Sequence, residues 1–327
     1  MLALIEITAW HWMGFILCVI LFLALDLGVF HREAHVVTFR EALTWTTIWV
    51  MLSFGFGLLL APALVTGWGK QDSVEFVTGY IIELSLSMDN VFVMALIFAY
   101  FRVPSQYQHR VLFWGILGAL LMRGVMIGAG AAHISRFMWS LYLFGAFLVF
   151  TGVKMLLVSE VEVHPERNFL LRLAKKFFPV AGQFHGQQFA IHEQGRFTLT
   201  PLALVLLVVE TTDLIFAVDS IPAIFAVTQK PFIVFTSNVF AILGLRSLYF
   251  VLAGAIDYFH YLKVGLSFVL VFIGGKMLLD PHGQPPKWFQ VDIPSSVSLL
   301  VVAAILATAI ALSVVAGRRE KRAGRKS

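Results

Sequence analysis

The feature that most constrains this chain is a series of about nine apolar stretches, each close to twenty residues long. A helix needs about 20 apolar residues to cross the hydrocarbon core of a bilayer. The composition agrees, since 59% of the residues are hydrophobic and only 13% are charged, whereas soluble domains carry roughly 25% charged residues. The sequence therefore predicts an all-α integral membrane protein and excludes a soluble, disordered or collagen-like chain.

The predicted spans are separated by short polar connections and one longer polar segment. We place the spans near residues 11–30, 44–66, 76–101, 110–133, 138–158, 201–227, 232–256, 260–279 and 294–316. They form five predicted units: two N-terminal helices in 1–69, a three-helix repeat in 70–158, a polar segment in 159–200, a second three-helix repeat in 201–280, and a last helix with a basic tail in 281–327. The polar segment is predicted to contain an amphipathic helix over 166–178 and a small hairpin over 188–199.

The distribution of Lys and Arg predicts how the chain is oriented in the membrane. The net charge of +5 is concentrated in a basic tail, residues 318–326, directly after an apolar segment, which indicates topology rather than binding to nucleic acid. With this tail in the cytoplasm, 16 of the 24 Lys and Arg fall in inner loops and four in outer loops. By the positive-inside rule, the N-terminus is predicted to lie outside and the C-terminus inside. A single cysteine, Cys18, excludes a disulfide framework.

The basic residues inside the spans reveal a duplication. Segments 116–123 and 149–157 recur as segments 242–246 and 271–279, and the matches place Arg123 opposite Arg246 and Lys154 opposite Lys276. Each copy covers three predicted helices. Because three is odd, the second copy enters the membrane from the opposite face, and the sequence predicts an inverted repeat of the kind found in transporters.

Six polar side chains in the third and sixth spans mark a candidate site. A carboxylate within a span costs at least ~2.5 to 3.5 kcal/mol, so such residues point to function. The spacing of six residues between the first two carboxylates of the third span recurs in the sixth span, and the repeat brings the two sets together near the midplane. An unwound backbone around residues 89–90 and before Pro222 is expected to aim them into one cavity. The set comprises Glu83, Asp89, Asn90, Glu210, Asp213 and Asp219.

The chemistry of this set favours a divalent metal ion. Carboxylate, amide and hydroxyl oxygens without nearby His or Cys are typical ligands of Mn²⁺, Ca²⁺ or Mg²⁺ rather than of Zn²⁺ or Cu⁺. Met88, beside Asp89, is a candidate soft ligand that would favour Mn²⁺ over Ca²⁺, although a methionine in a span also serves as packing. Arg123 and Arg246 are predicted to balance the charge of the site, and the alternative is that they hold the carboxylates in purely structural pairs.

Four stretches resemble the TerC family, especially its Alx-type members. They are residues 79–93, 144–155, 200–202 and 213–227, so that the resemblance covers most of the chain. It implies a bacterial inner-membrane protein with two inverted three-helix units, related to the LysE-type exporters, and an activity in manganese export; the family name also refers to tellurium resistance. The resemblance places the family's acidic positions on the same six residues, whereas Met88 replaces an expected small aliphatic residue.

Together these observations predict a secondary transporter that exports Mn²⁺ from the cytoplasm, with protons as the counter-ion because carboxylates bind metal and protons in alternation. The expected partners are the divalent ion and the lipid bilayer, without nucleic acid or a permanently bound cofactor, and the oligomeric state stays open. An enzyme is not expected, since no nucleophile and base pair stands out. The alternative is a membrane scaffold that assists assembly or metalation of other membrane and exported proteins, with residues 159–200 as its docking segment.

Overall fold

The computed structural model describes residues 6–25, 37–157, 168–193, 195–253, 261–280, 290–291 and 293–323. Within these ranges, eight helices are long and apolar enough to cross a membrane, and a ninth, shorter apolar helix lies near the N-terminus. The chain is thus an all-α multi-pass membrane protein, as the sequence predicted.

The helices run in chain order with one small hairpin between the two halves. Their bounds are α1 Ala9–Leu25, α2 Phe39–Gly55, α3 Ala61–Leu64, α4 Lys70–Tyr100, α5 Ser105–Arg136, α6 Ser140–Leu157, α7 Phe169–Phe177, α8 Pro201–Phe225, α9 Pro231–Ala253, α10 Leu262–Leu279 and α11 Ser295–Ala323. The strands β1, Ala190–Glu193, and β2, Arg196–Leu199, pair antiparallel. A π-helical turn, Phe56–Leu60, joins α2 to α3, so that these form one span.

Local sequence signals explain where several helices begin. Thr38 and Glu41 form a capping box at the start of α2, and the Asn168 side chain accepts a hydrogen bond from the Leu171 amide at the start of α7. Proline occupies the first position of α8 and of α9, where its missing N–H costs no helical hydrogen bond. These signals are independent of the apolar pattern and fix where each of these four helices begins.

The predicted unwinding at the acidic positions is wrong. Helix α4 continues through Asp89 and Asn90, and α8 continues through Pro222 into its last turn. A continuous helix suffices because Glu83, Leu86 and Asn90 have spacings of three and four residues, which place them on one face of α4. Near a helix end, Pro222 removes only one intrahelical hydrogen bond and leaves little helix beyond it to bend.

The packing of the six central helices follows the duplication. Helix α4 packs against α9 while its counterpart α8 packs against α5, and the counterparts α6 and α10 pack against each other. Helix α4 also contacts α8, and α5 contacts α9. This pattern is unchanged when the two repeats are exchanged, as expected for two units related by a two-fold axis.

The contact between α6 and α10 brings backbone atoms of the two helices close together at glycine positions. A Cβ atom added to Gly274 would lie 2.6 Å from the Gly145 carbonyl oxygen and 2.8 Å from the Val149 nitrogen. A Cβ atom added to Gly152 would lie 2.8 Å from the Ser267 carbonyl oxygen. Because Gly152 matches Gly274 and Gly145 matches Ser267 in the repeat, the two close approaches are counterparts of each other. Small residues permit such approaches between helices in a membrane.

Substitution of Gly274 by alanine is expected to destabilise the protein, because backbone atoms of α6 must move to admit the methyl group. Overpacking of this kind costs about 1 to 3 kcal/mol, and the apparent melting temperature in detergent should fall. The control is Gly275→Ala, since a Cβ atom at the neighbouring position meets nothing within 4 Å. Equal melting temperatures for the two variants would contradict the close contact.

The polar segment between the repeats packs on one end of the helix bundle. Leu171 of α7 is 1% exposed and belongs to the apolar cluster formed with α4, α5, α8 and α9. The opposite stripe of α7, Phe169, Leu173 and Phe177, is exposed. The paired strands, 190–193 and 196–199, lie within the range 188–199 that was predicted for the hairpin. Residues 166–167, the first part of the predicted amphipathic helix, lie outside the described residues.

Candidate functional site

A small polar cavity lies where the two repeats meet. Its volume is about 40 Å³, close to the roughly 30 Å³ that one water molecule occupies in the liquid. Helices α4, α5, α6, α8 and α10 contribute its walls. The lining residues are Glu83, Leu86, Asp89, Asn90, Arg123, Thr151, Met155, Phe216, Asp219, Ser220 and Leu270. Space for a single ion or water molecule is therefore bounded by side chains from both repeats.

Arg123 of α5 organises one side of the cavity. Its guanidinium, only 2% exposed, forms an ion pair with Glu83 and donates from Nη2 to Asp213 Oδ1 at 3.1 Å. It also donates from Nε to Asp213 Oδ2 at 3.4 Å and from Nη1 to Ser220 Oγ at 3.2 Å. One buried cation thus satisfies counterpart carboxylates of α4 and α8, which meets the need of buried charges for partners. For these two carboxylates, the structural pairing anticipated as an alternative is what the structure shows.

The other two aspartates of the cavity are not held by Arg123. Asp89 of α4 and Asp219 of α8 both line it, and Thr151 donates a hydrogen bond to Asp219 Oδ1 at 3.5 Å. These aspartates occupy matching positions in the two repeats, so that one carboxylate from each repeat faces the same small space.

Two further oxygen atoms at the cavity lack donors. Glu83 Oε2 and Asn90 Oδ1 are buried and accept no hydrogen bond from the described residues. The Asn90 amide is oriented by its donation to Asp213 Oδ1 at 3.1 Å, which leaves its oxygen as the unsatisfied atom. Buried polar atoms normally find a partner. Acceptors without donors beside a cavity are therefore suited to a cation or to a water molecule.

The remaining predicted carboxylate lies apart from this space. Glu210 is one turn before Asp213 on α8, but it does not line the cavity. Its carboxylate rests against Gly118 of α5, and its Oε2 has no hydrogen-bond partner among the described residues. The repeat could not place Glu210, because its counterpart in α4 by the same offset is Tyr80.

Arg246 and Met88 do not line the polar cavity. Arg246 lies in the wall of a second cavity of about 260 Å³ between α1, α2, α5 and α9, whose other described lining residues are apolar except Ser247. Met88 packs against two apolar clusters and does not line the polar cavity. The methionine that lines the cavity is Met155 of α6, which sequence reasoning missed. The sequence contained one signal for Met155, because the Lys-Met pair at residues 154–155 recurs at residues 276–277 in the second repeat.

The carboxylates do not form a closed metal cage. No group of three His, Cys, Asp or Glu side chains in the described part of the chain is arranged to hold a metal ion. Arg123 explains this, since it draws Glu83 and Asp213 to itself and leaves Asp89 and Asp219 as the carboxylates on the open side. Any ion bound here would combine those two with neutral oxygen ligands such as Asn90, a combination that suits Mn²⁺, Ca²⁺ or Mg²⁺.

A second charged cluster, not predicted from the sequence, lies at the N-terminal end of α4. Lys230, in the connection between α8 and α9, contacts Asp72 Oδ1 at 2.5 Å and Glu75 Oε2 at 2.9 Å. Thr228 donates to Glu75 Oε2 at 2.7 Å. Asp72 and Glu75 are both buried. The sequence predicts that this span begins at residue 76, which leaves both acidic residues in a loop, and the distant lysine gives no local signal.

Loss of the Lys230 charge is expected to destabilise this end of the molecule. Burial lowers the pKa of Lys230, but its hydrogen bonds with Asp72 and Glu75 more than offset that effect, so the pKa lies above its usual 10.5. The stabilisation is therefore fully present below about pH 10.5 and is lost as the pH rises through the folded-state pKa. Lys230→Ala should lower the apparent melting temperature by the same amount at about pH 7 and about pH 9.

The matched control for this prediction is Lys70→Ala, which removes an exposed lysine at the same end of α4. Melting should be followed for both variants and for the unmodified chain over the same pH series. A Lys230→Ala deficit that disappears near neutral pH, or one equalled by Lys70→Ala, would contradict the assigned ion pairs.

Fold and site define a multi-pass membrane protein with a buried, arginine-balanced polar cavity between two helix repeats. The chain belongs to the TerC family: the family model described as "Integral membrane protein TerC family" matches residues 68–321. This confirms the resemblance noted in the sequence.

Similar proteins span almost the whole chain. An "Uncharacterized membrane protein STKORF319" of Myxococcus xanthus is 52% identical over 307 residues, covering 94% of this chain and 92% of that protein. The "Putative membrane-bound redox modulator Alx" of Escherichia coli (strain K12) is 47% identical over 300 residues, covering 90% of this chain and 91% of that protein. No solved structure matches the chain.

Proposed function

We propose that this protein is a secondary transporter that moves Mn²⁺ out of the cytoplasm through the cavity between the repeats. The observation that carries the proposal is that Asp89 and Asp219, counterparts in the two repeats, line the same small cavity while Arg123 neutralises Glu83 and Asp213. A site shared between inverted repeats is the usual place for substrate in secondary transporters. Intramembrane carboxylates that are not held by an arginine are expensive and are typical of ion pathways.

The ligand chemistry narrows the cargo to hard divalent cations. Two carboxylates and the neutral oxygens of Asn90 and Ser220 suit Mn²⁺, Ca²⁺ and Mg²⁺, and the cavity has no His or Cys in its lining. Family membership supports Mn²⁺ among these three, since the resemblance implies manganese export. The name of the Escherichia coli relative refers to redox modulation, and handling of a redox-active metal is compatible with that name.

Protons are the proposed counter-ion. Binding of a divalent ion requires deprotonated carboxylates, so metal and proton compete for the same oxygens. Asp89 and Asp219 would release protons when the ion enters and take them up when it leaves. Exchange of this kind links the direction of metal movement to the proton gradient without any further binding site.

The proposed location is the bacterial inner membrane, with the N-terminus outside and the C-terminus in the cytoplasm. The excess of Lys and Arg in the loops assigned inside supports this orientation. In that arrangement the polar segment with α7 and the hairpin faces the cytoplasm, and the Lys230 cluster lies at the outer surface.

Transport by the purified chain in liposomes tests the proposal. Vesicles loaded with a Mn²⁺-sensitive dye should show Mn²⁺ entry that depends on the protein and increases when a pH gradient of the correct sign is imposed. Ca²⁺ and Mg²⁺, offered separately, measure selectivity. Absence of entry for all three ions, with correctly folded protein in the vesicles, would overturn the transport proposal.

One observation favours the scaffold as a second candidate. The polar segment exposes the aromatic side chains Phe169, Phe177 and Phe197, which a partner protein could cover. A scaffold would need these side chains and not the cavity aspartates. If the protein is a scaffold, substitution of the three phenylalanines by serine should abolish its function in cells. If it is a transporter, the same variant should still transport metal in liposomes.

A further inference from the structure

We propose that the thioether of Met155 is a metal ligand of the cavity and that it selects Mn²⁺ and softer divalent ions over Ca²⁺ and Mg²⁺. This inference rests on the proposed function and concerns the selectivity of the same site. It names Met155, which lines the cavity, in place of Met88, which the sequence offered as a candidate soft ligand with packing as the alternative.

The position of Met155 on α6 is the first step of the argument. Met155 follows Thr151 by four residues, and both side chains line the cavity from one face of the helix. Thr151 is within hydrogen-bond distance of Asp219, at 3.5 Å, so this face of α6 is turned toward the carboxylate side of the cavity. The sulfur-bearing side chain therefore borders the same space as Asp89 and Asp219.

Among the described lining residues, Met155 is the only one whose side chain carries a soft ligand atom. The remaining apolar part of the lining is made of Leu86, Phe216 and Leu270, which offer no lone pair to a cation. The polar part consists of oxygen ligands and Arg123. Glu83 Oε2 and Asn90 Oδ1, both buried and without donors among the described residues, show that the space is built to receive a group that accepts lone pairs.

The repeat provides an internal comparison. The counterparts of Thr151 and Met155 in α10 are Ile273 and Met277, which are 1% and 0% exposed and belong to the apolar core. Neither counterpart lines the cavity. The two repeats therefore contribute equivalent aspartates, but among the described lining residues only the first repeat contributes a thioether. Both methionines pack against the same apolar cluster, but only Met155 also lines the cavity.

The chemistry of the thioether explains what this departure would do. Oxygen ligands alone bind Ca²⁺, Mg²⁺ and Mn²⁺ and distinguish them mainly by size and ligand number. A thioether is a soft ligand that transition-metal ions accept and that Ca²⁺ and Mg²⁺ do not use. One sulfur among several oxygens would therefore favour Mn²⁺ and softer divalent ions over Mg²⁺ and Ca²⁺.

The test measures metal binding by the purified full chain, in a Cys18→Ser background that removes the single cysteine thiol. The probes are Mn²⁺, Cd²⁺ as a softer ion, Ca²⁺ and Mg²⁺, each titrated alone. Met155→Leu keeps volume and apolar character but removes the sulfur. It should lower affinity for Cd²⁺ by about tenfold or more and for Mn²⁺ by less, while Ca²⁺ affinity stays equal or rises. Met88→Leu and Met277→Leu should leave all four affinities unchanged.

X-ray absorption at the cadmium edge reports the ligand atoms directly, and the measurement on the protein with Met155 intact does not depend on the folding of Met155→Leu. The Cd²⁺-loaded protein with Met155 intact should show one sulfur scatterer among oxygens, and Met155→Leu should show oxygens only. Oxygen ligation alone in the protein with Met155 intact, or an unchanged ratio of Cd²⁺ to Ca²⁺ affinity in Met155→Leu, would overturn the sulfur ligand while leaving the transport site in place. Absence of binding for all four ions would overturn the proposed function and this inference together.

Discussion

Replacement of Arg123 by alanine is expected to cause the largest loss of stability of any single substitution at the cavity. Arg123 is the one cation in the described structure that pairs with both Glu83 and Asp213, and all three side chains are at most 3% exposed. Removal of one partner from a buried ion pair costs about 3 to 5 kcal/mol, because the remaining charges lose their compensation without regaining water. The apparent melting temperature in detergent and the amount of protein in the membrane should both fall.

Two comparisons make this expectation specific. Arg136→Ala removes an exposed arginine from the end of the same helix and should have little effect. Neutralisation of the partners, in the triple variant Arg123→Met, Glu83→Gln and Asp213→Asn, should recover part of the lost stability because no uncompensated charge remains. Wild-type stability of Arg123→Ala would show that the two carboxylates do not depend on it.

The largest functional effect is expected from Asp89→Asn or Asp219→Asn. Each change keeps the shape of the side chain and removes one negative charge from the side of the cavity not held by Arg123. Loss of a carboxylate ligand should weaken a bound divalent ion by at least about tenfold, and Mn²⁺ entry into liposomes should become undetectable. Protein abundance and melting temperature should stay near the unmodified values, since neither aspartate pairs with Arg123.

Glu193→Gln is the matched control for these variants, because it removes one carboxylate charge from an exposed position in the hairpin. It should transport Mn²⁺ normally. The two aspartate variants should resemble each other, since the residues are counterparts in the repeat. Normal Mn²⁺ transport by both aspartate variants at full abundance would refute the proposed site and favour the scaffold.

Helix number and approximate helix position could be predicted from the sequence, because apolar length alone decides whether a segment can cross a bilayer. The first turns of α4 could not be predicted in the same way. Asp72 and Glu75 interrupt the apolar pattern there, and they are stabilised inside the structure by Lys230, more than 150 residues away. Only the folded chain brings that lysine to them.

The candidate site was predictable as a set of residues but not as a set of partners. The cost of carboxylates in a span and the repeated spacing singled out Glu83, Asp89, Asp213 and Asp219, which the structure brings together around Arg123 and the cavity. Their division into arginine-bound and open carboxylates depends on the rotation of α4 and α8 about their axes. That rotation follows from packing against α5, α6 and α10, which the sequence does not display. Whether Met88 or Met155 lines the cavity likewise depends on helix packing that the sequence does not display.

The backbone contact between α6 and α10 also has a mechanical consequence. At Gly145, Gly152 and Gly274, an added Cβ atom would lie 3.0 Å or less from backbone atoms of the other helix, so that neither helix can slide past the other without breaking these close contacts. The pair should therefore move as a single lever. Thr151, Met155 and Leu270 lie on this lever, whereas Asp89 and Asp219 lie on α4 and α8. A tilt of the pair would then open or close the cavity by separating its hydroxyl and thioether wall from its carboxylate wall, with neither wall changing its own internal geometry.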